Sequence, residues 1–129
     1  MKIRFPGGKR VDAEYRGFTI RTDQKETAGG ENSAPGPFDL FLASIGTCSG
    51  YYVLAFCQKR GIPTDEIELS LETTRNEERR MIERIDITVR LPKSFPERYV
   101  DACLRSIDQC TVKKHLEDPP EIARSAVRS

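Results

Sequence analysis

The sequence has little net charge and begins without an apolar leader, and both features narrow the range of partners and compartments. Its 21 Lys and Arg residues nearly balance its 20 Asp and Glu residues, so the formal charge is +1 at pH 7. We therefore expect no nucleic acid and no acidic membrane as a partner. The first ten residues contain no apolar run that resembles a signal peptide. A cytoplasmic location is the expectation that follows.

The spacing of the four cysteines is not that of a structural zinc site. No two cysteines are separated by the two to four residues typical of a zinc knuckle, and the chain has one histidine, His115. We therefore expect no metal. In a reducing cytosol the thiols are expected to be free, with packing or catalytic roles, rather than a disulfide framework.

The most apolar stretch, residues 37–61, predicts a long helix around which the rest of the chain is arranged. Helix-permissive residues run from Phe38 to Arg60, Pro37 suits a first turn, and Gly61 suits a position just past the end. Apolar side chains cover nearly every face, so we expect this helix to be buried. Small and polar residues near its centre, around Cys48, interrupt the run and argue against a membrane span.

The other segments predict an α+β fold of one domain, residues 1–129, with small antiparallel sheets. The predicted elements are a strand at 2–5, a hairpin at 11–22, a polar mobile loop at 23–36, a second hairpin formed by 66–73 and 82–91, a helix at 94–110, a short helix at 111–117 and a strand at 121–127. A chain of 129 residues has little material to cover the long helix. We therefore expect a second subunit to cover part of it, most simply in a two-fold dimer.

Helical geometry separates the thiols. Nine residues at 100° each place Cys57 on the opposite side of the helix from Cys48. Cys103 falls within the apolar stripe of its predicted helix, so Cys57 and Cys103 are expected to pack in the core. Cys48 and Cys110 remain open between packing and reactivity. Because Cys48 is about ten residues into its helix, a reactive thiolate there needs a cation or hydrogen-bond donor from another element.

Two motifs resemble those of one known family. Residues 37–48 read PFDLFLASIGTC after GGENSAP at 29–35, and residues 110–116 read CTVKKHL. Both are similar to the cysteine motifs of the OsmC/Ohr family of thiol-dependent organic hydroperoxide reductases and osmotically induced proteins. The order of predicted elements is also similar across essentially the whole chain.

The resemblance implies an intertwined homodimer with an OsmC-like fold, in which the long central helices are buried and the active sites lie between subunits. It also implies a cytosolic antioxidant of the stress response, a peroxidase in which Cys48 attacks the peroxide and Cys110 resolves the sulfenate as a disulfide. An external dithiol would then reduce that disulfide. This thiol chemistry is expected to need no other cofactor. The apolar side chains near Cys48 indicate organic hydroperoxides as substrates. The expected substrate-binding residues are Phe38, Asp39, Phe41, Tyr51 and Tyr52.

The sequence departs from the family pattern at its activating residues. Family peroxidases carry a glutamate directly after the motif proline, where this chain has Phe38, and a proline after the second cysteine, where it has Thr111. They also use an arginine from an N-terminal glycine turn, which the segment 7–10 resembles. Arg10 is therefore the expected cation for Cys48, ahead of Lys9 or Arg21.

Two other functions fit the same residues. One is a non-catalytic dimeric module that binds an apolar ligand and keeps its cysteines for packing. The other is a redox sensor in which a disulfide between Cys48 and Cys110 alters the affinity for a partner. The binding module differs from the peroxidase in that peroxide should leave its thiols unchanged. The sensor differs from the peroxidase in that it should be oxidised with negligible turnover when a dithiol is supplied.

Overall fold

A computed structural model describes all 129 residues, and its contacts divide the chain into two compact units, residues 1–43 and 44–129. The elements in chain order are β1 (Lys2–Gly7), β2 (Arg10–Tyr15), β3 (Phe18–Thr22), α1 (Pro37–Lys59), β4 (Glu68–Asn76), β5 (Met81–Arg90), α2 (Val100–Ser106) and α3 (Thr111–Glu117). The α+β class and the small antiparallel sheets are confirmed. The single-domain assignment stays a prediction.

The first unit contains a three-stranded antiparallel sheet in the order β1-β2-β3. Arg16 and Gly17 form the β2–β3 turn, with φ of 51° and 82°, which is the left-handed geometry that a two-residue hairpin requires. Opposite residues such as Ile3, Ala13 and Ile20 share one face. That face is apolar but uncovered, because Ile3 is 51% exposed and Phe18, at the end of β3, is 70% exposed.

The loop between β3 and α1 is organised by a buried carboxylate. Asp23 is 1% exposed, and its side chain accepts hydrogen bonds from Gln24 N, Glu31 N, Ser33 N and Ser33 Oγ. These bonds lower the pKa of Asp23 to about 2, led by the Ser33 hydroxyl and the Ser33 amide, although burial opposes the shift. The polar loop predicted at 23–36 is present, and this carboxylate holds its fold.

The long helix is confirmed within one residue at each end, but its complete burial is wrong for the single chain. A stripe from Ile45 through Ser49 and Val53 to Cys57 is buried, whereas Tyr51 on another face is 60% exposed. A helix crossed by one layer of strands and helices is covered on one side only. By length and composition α1 could also cross a membrane, a test that core helices of soluble proteins pass as well.

The second unit packs a hairpin and two short helices against the α1 stripe. β4 and β5 form the predicted second hairpin. The core cluster contains Val53, Phe56, Cys57, Phe95, Cys103 and Ile107. A Cβ added at Gly46 would lie 3.2 Å from Leu71 Cδ1, so β4 comes close to α1 where the sequence has small residues.

Two predicted elements differ from the structure, one in its bounds and regularity and one entirely. The helix expected over 94–110 is replaced by a 3-10 turn (Glu97–Tyr99), α2, and a second 3-10 turn (Ile107–Gln109). Pro96 holds an extended conformation (ψ 118°), and helical structure begins only after it. The strand expected over 121–127 is absent, since this segment pairs with neither sheet and Ile122 is 92% exposed.

Candidate active site

Cys48 lies in the middle of α1 and faces the start of α3. Its sulfur is hydrogen-bonded to the backbone N–H groups of Val112 and Thr111 and to the side chain of Cys110. Burial raises the pKa of the Cys48 thiol, but these three hydrogen bonds together outweigh it, so the pKa lies below its ordinary value. The donors that a reactive Cys48 requires are therefore present and come from another element.

Cys110 begins α3. Its side chain accepts a hydrogen bond from Lys113 N at 3.4 Å, so this sulfur occupies the position of a helix N-cap. Cys110 is fully buried, whereas Cys48 is partly exposed. A reagent that enters from solvent therefore reaches Cys48 first, and Cys110 is held directly beside it.

A lysine adds positive charge on the Cys110 side of the pair. Lys113 Nζ lies 2.7 Å from Asp108 Oδ1 and 3.9 Å from Glu117 Oε1. The hydrogen bond with Asp108 is the main cause that raises the pKa of Lys113, and the charges of Asp108, Glu117 and Cys110 add to it. Lys113 therefore places a positive charge beside Cys110.

The other two cysteines form a separate pair. Cys57 on α1 and Cys103 on α2 are both 0% exposed and share a hydrogen bond. Burial raises the pKa of both thiols, that of Cys103 to about 11. The structure thus pairs the first cysteine with the fourth and the second with the third.

The aromatic residues predicted to bind substrate form two pairs of rings in contact. The rings of Phe38 and Phe41 lie 5.2 Å apart in the first unit, and those of Tyr51 and Tyr52 lie 5.2 Å apart, edge to face, in the second. Tyr51 and Tyr52 follow Cys48 by three and four residues, and therefore project from the same side of α1 one turn along.

The polar residues expected near the site have local roles. Asp39 accepts a hydrogen bond from Gly36 N at 2.8 Å, in the first turn of α1, which suits the helix dipole. Arg10 is exposed and its Nε donates to Gly7 O at 3.4 Å. His115 is also exposed, and its Nδ1 lies 2.7 Å from Thr111 O.

Sequence reasoning missed the backbone donors of Thr111 and Val112 and the charge of Lys113. The first amides of a helix have no partner within that helix. The short helix predicted directly after Cys110 therefore indicated that free amide donors lie there, but the sequence did not indicate that those amides face Cys48.

The described residues contain no group of three or more His, Cys, Asp or Glu side chains placed to hold a metal ion. The site therefore consists of two adjacent thiols between a long helix and a short one. This arrangement defines a dithiol protein of α+β fold.

The family model described as OsmC-like protein matches residues 30–124. The chain therefore belongs to the OsmC-like protein family, and the resemblance of its two cysteine motifs is confirmed. Among curated proteins no significant match was found.

Solved structures confirm the fold. A Psychrobacter arcticus 273-4 protein, described as an osmotic stress induced and detoxification response protein, has a TM-score of 0.74 at 17% identity, covering 88% of this chain and 84% of its own. Another, described only by the words structural genomics, has a TM-score of 0.73 at 22% identity and covers 96% and 93%. A Legionella pneumophila protein is described as an organic hydroperoxide resistance protein OsmC, a predicted redox protein and a regulator of sulfide bond formation. Its TM-score is 0.57 at 16% identity, with 89% and 85% covered.

Proposed function

We propose that this protein is a cytoplasmic thiol peroxidase that reduces organic hydroperoxides through Cys48 and Cys110. The observation that carries the proposal is the contact between these two thiols, with backbone amides of α3 donating to Cys48. A two-cysteine peroxidase requires two adjacent thiols, one of which has a lowered pKa and is accessible to the peroxide. The description of the Legionella pneumophila neighbour as an organic hydroperoxide resistance protein supports the same chemistry.

The proposed reaction has three steps. The Cys48 thiolate attacks the terminal oxygen of the hydroperoxide, the O–O bond breaks, and the alcohol leaves with a proton. Cys110 then attacks the sulfur of the Cys48 sulfenic acid, and the S–O bond breaks to release water. An external dithiol reduces the resulting disulfide, and both cysteines return to thiols. The net reaction converts a hydroperoxide and a dithiol into an alcohol, water and a disulfide.

The amides of Thr111 and Val112 have the first role in this sequence. They stabilise the thiolate before the attack, because a hydrogen bond donated to a charged sulfur favours the ionised form. Arg10, taken from the family resemblance, is proposed as an added cation. Lys113 places a positive charge beside Cys110, which acts in the second step.

The side chains around α1 support an organic substrate over hydrogen peroxide. The family resemblance proposes Phe38, Asp39, Phe41, Tyr51 and Tyr52 as substrate-binding residues. The rings of Phe38 and Phe41 are in contact within the first unit, and those of Tyr51 and Tyr52 are in contact within the second. Aromatic rings bury the alkyl or aryl group of an organic hydroperoxide, which hydrogen peroxide lacks.

We further propose that the working form is a homodimer. Large apolar side chains are exposed on β1–β3 and, separately, on α1, a pattern typical of interaction surfaces. The test is light scattering after size exclusion for wild type, Phe18→Glu and Thr19→Glu. Because Thr19 lies on the opposite face from Phe18, only Phe18→Glu should give the mass of one chain. Two variants with identical masses contradict this role of the sheet.

The test of the reaction is thiol counting followed by turnover. Reduced protein is mixed with one equivalent of cumene hydroperoxide, and its free thiols are titrated after denaturation. We expect a rapid loss of two thiols in wild type and in Cys57→Ala, and no rapid loss in Cys48→Ser. Cys110→Ser should accumulate a sulfenic acid that dimedone traps. Unchanged thiols in wild type would contradict the peroxidase and favour the ligand-binding module.

Steady-state consumption of hydroperoxide with dithiothreitol then separates the enzyme from the sensor. We expect repeated turnover, with a higher kcat/KM for cumene hydroperoxide than for hydrogen peroxide. A single oxidation without turnover would favour the sensor.

A further inference from the structure

A second pair of thiols lies in the core of the second unit, and the proposed peroxidase does not use it. Cys57 and Cys103 are hydrogen-bonded to each other and are both 0% exposed. We propose that Cys57 and Cys103 are a second redox pair, which a small hydroperoxide slowly converts into a disulfide that joins α1 to α2. This inference goes beyond the proposed peroxidase and does not depend on it.

The packing of the two helices holds the pair together. Cys57 belongs to the buried stripe of α1, and Cys103 is the central residue of the short helix α2. Both side chains belong to one core cluster with Phe56, Phe95 and Ile107. A disulfide requires two sulfurs that approach closely, and a pair already in hydrogen-bond contact needs only a small further displacement.

An arginine at the end of α1 provides the charge that this pair needs. The guanidinium carbon of Arg60 lies 3.6 Å from the centroid of the Phe56 ring and 5.3 Å from that of Tyr99, and its Nη1 donates to Phe56 O at 3.0 Å. Its charge favours ionisation of both thiols and lowers the pKa of each, against the larger effect of burial. Arg60 is therefore a positioned cation beside the pair.

Burial makes the reaction slow but also makes its product durable. Desolvation is the main cause of the raised pKa of both thiols, so few of them are thiolates at neutral pH. Full burial likewise slows the entry of dithiol reductants once the bond has formed. The pair therefore stays reduced during brief exposure to peroxide and records prolonged exposure.

The chemistry balances with the hydroperoxide as the oxidant. The Cys57 thiolate attacks the terminal peroxide oxygen, the O–O bond breaks, and the alcohol leaves with a proton, so that Cys57 becomes a sulfenic acid. Cys103 then attacks that sulfur, the S–O bond breaks, and water leaves with the Cys103 proton. The two sulfurs together lose two electrons, which reduce the peroxide.

The experiment uses the Cys48→Ser/Cys110→Ser variant, which lacks both thiols of the proposed peroxidase. Its reduced form is incubated for hours with excess tert-butyl hydroperoxide under native conditions, and aliquots are titrated for thiols after denaturation. We expect the loss of two thiols, at least tenfold slower than that of Cys48 in wild type. Digestion without reductant should yield a disulfide between the peptides that contain Cys57 and Cys103. The oxidised variant should also melt at a temperature about 10 °C higher.

A variant of Arg60 tests the role of its charge, because packing of the two thiols alone predicts no effect of that charge on the rate. Arg60→Gln, placed in the same double variant, should lose its thiols several-fold more slowly, whereas Arg105→Gln on the exposed side of α2 should not. Thiols that remain intact in the folded double variant, or a disulfide that forms only in urea, would overturn the proposal. Failure of Cys48 to react with peroxide would contradict the proposed peroxidase alone, since Cys48 is absent from this experiment.

Discussion

Oxidation of the Cys48–Cys110 pair should stabilise the folded chain by a measurable amount. The two cysteines are sixty-two positions apart, so the disulfide closes a large loop in the unfolded chain. Loss of loop entropy predicts about 4 kcal/mol of added stability for a loop of that length, if the native backbone accommodates the bond without strain. For a chain of this size that corresponds to a rise in Tm of roughly 10–15 °C.

The expected gain of about 4 kcal/mol requires that the disulfide form without strain in the folded protein. Cys48 and Cys110 already share a hydrogen bond in the reduced protein, so their sulfurs need little movement to join. Cys48 is in the middle of α1, and Cys110 is the N-cap of α3, so both backbones are held by hydrogen-bonded structure.

The assay is differential scanning calorimetry on the Cys57→Ala/Cys103→Ala variant, so that only one disulfide can form. Samples are compared fully reduced and after one equivalent of cumene hydroperoxide, with peptide mapping to verify the bond. Cys110→Ser in the same background serves as the control and should show no rise. A mapped Cys48–Cys110 disulfide with an unchanged or lower Tm would refute the reasoning, because it would mean that the two thiols must be pulled out of their native positions to react.

Three further outcomes follow from the packing and charges. Gly30→Ala should lower the free energy of unfolding in urea by about 3 kcal/mol, because the new Cβ would lie 2.0 Å from Gln24 O. In the control Gly36→Ala, the new Cβ meets a movable side chain at 3.3 Å. Equal urea midpoints for the two variants would contradict the close approach at Gly30. Val53→Ala, at 2% exposure, should cost about 2 kcal/mol by the same measurement, and a loss under 0.5 kcal/mol would exclude tight packing there. Asp23 has a pKa of about 2 in the folded chain, compared with the ordinary value of 3.8. Its contribution to the free energy of unfolding is therefore present above about pH 4 and is lost as the pH falls toward 2. The stability difference between wild type and Asp23→Asn should shrink across that pH range, and a constant difference would contradict this expectation.

Local signals in the sequence were sufficient for most of the elements. The apolar run between Pro37 and Gly61 predicted α1, and alternation of polar and apolar residues predicted both hairpins. These elements form because each carries its own periodicity and its own stop signals. The helix expected over 94–110 begins later than predicted, because Pro96 is extended and helical structure starts only at Glu97.

The partners of the cysteines could not be read from the sequence in the same way. Helical geometry correctly separated Cys48 from Cys57, because both are on one continuous helix. It could not pair Cys57 with Cys103, since that contact depends on how α2 crosses α1. Motif resemblance singled out Cys48 and Cys110, and the structure added the amides that donate to Cys48.

The amino-acid sequence by itself determined most of the secondary-structure elements, the family and the order of the two cysteine motifs, because these depend on residues close together along the chain. Only the tertiary structure decided which sulfur faces which, which thiol has its pKa lowered and which raised, and that Asp23 organises a loop. Those properties depend on burial and on hydrogen-bond donors contributed by distant segments. A thiol has no fixed reactivity of its own, and its surroundings in the folded chain determine it.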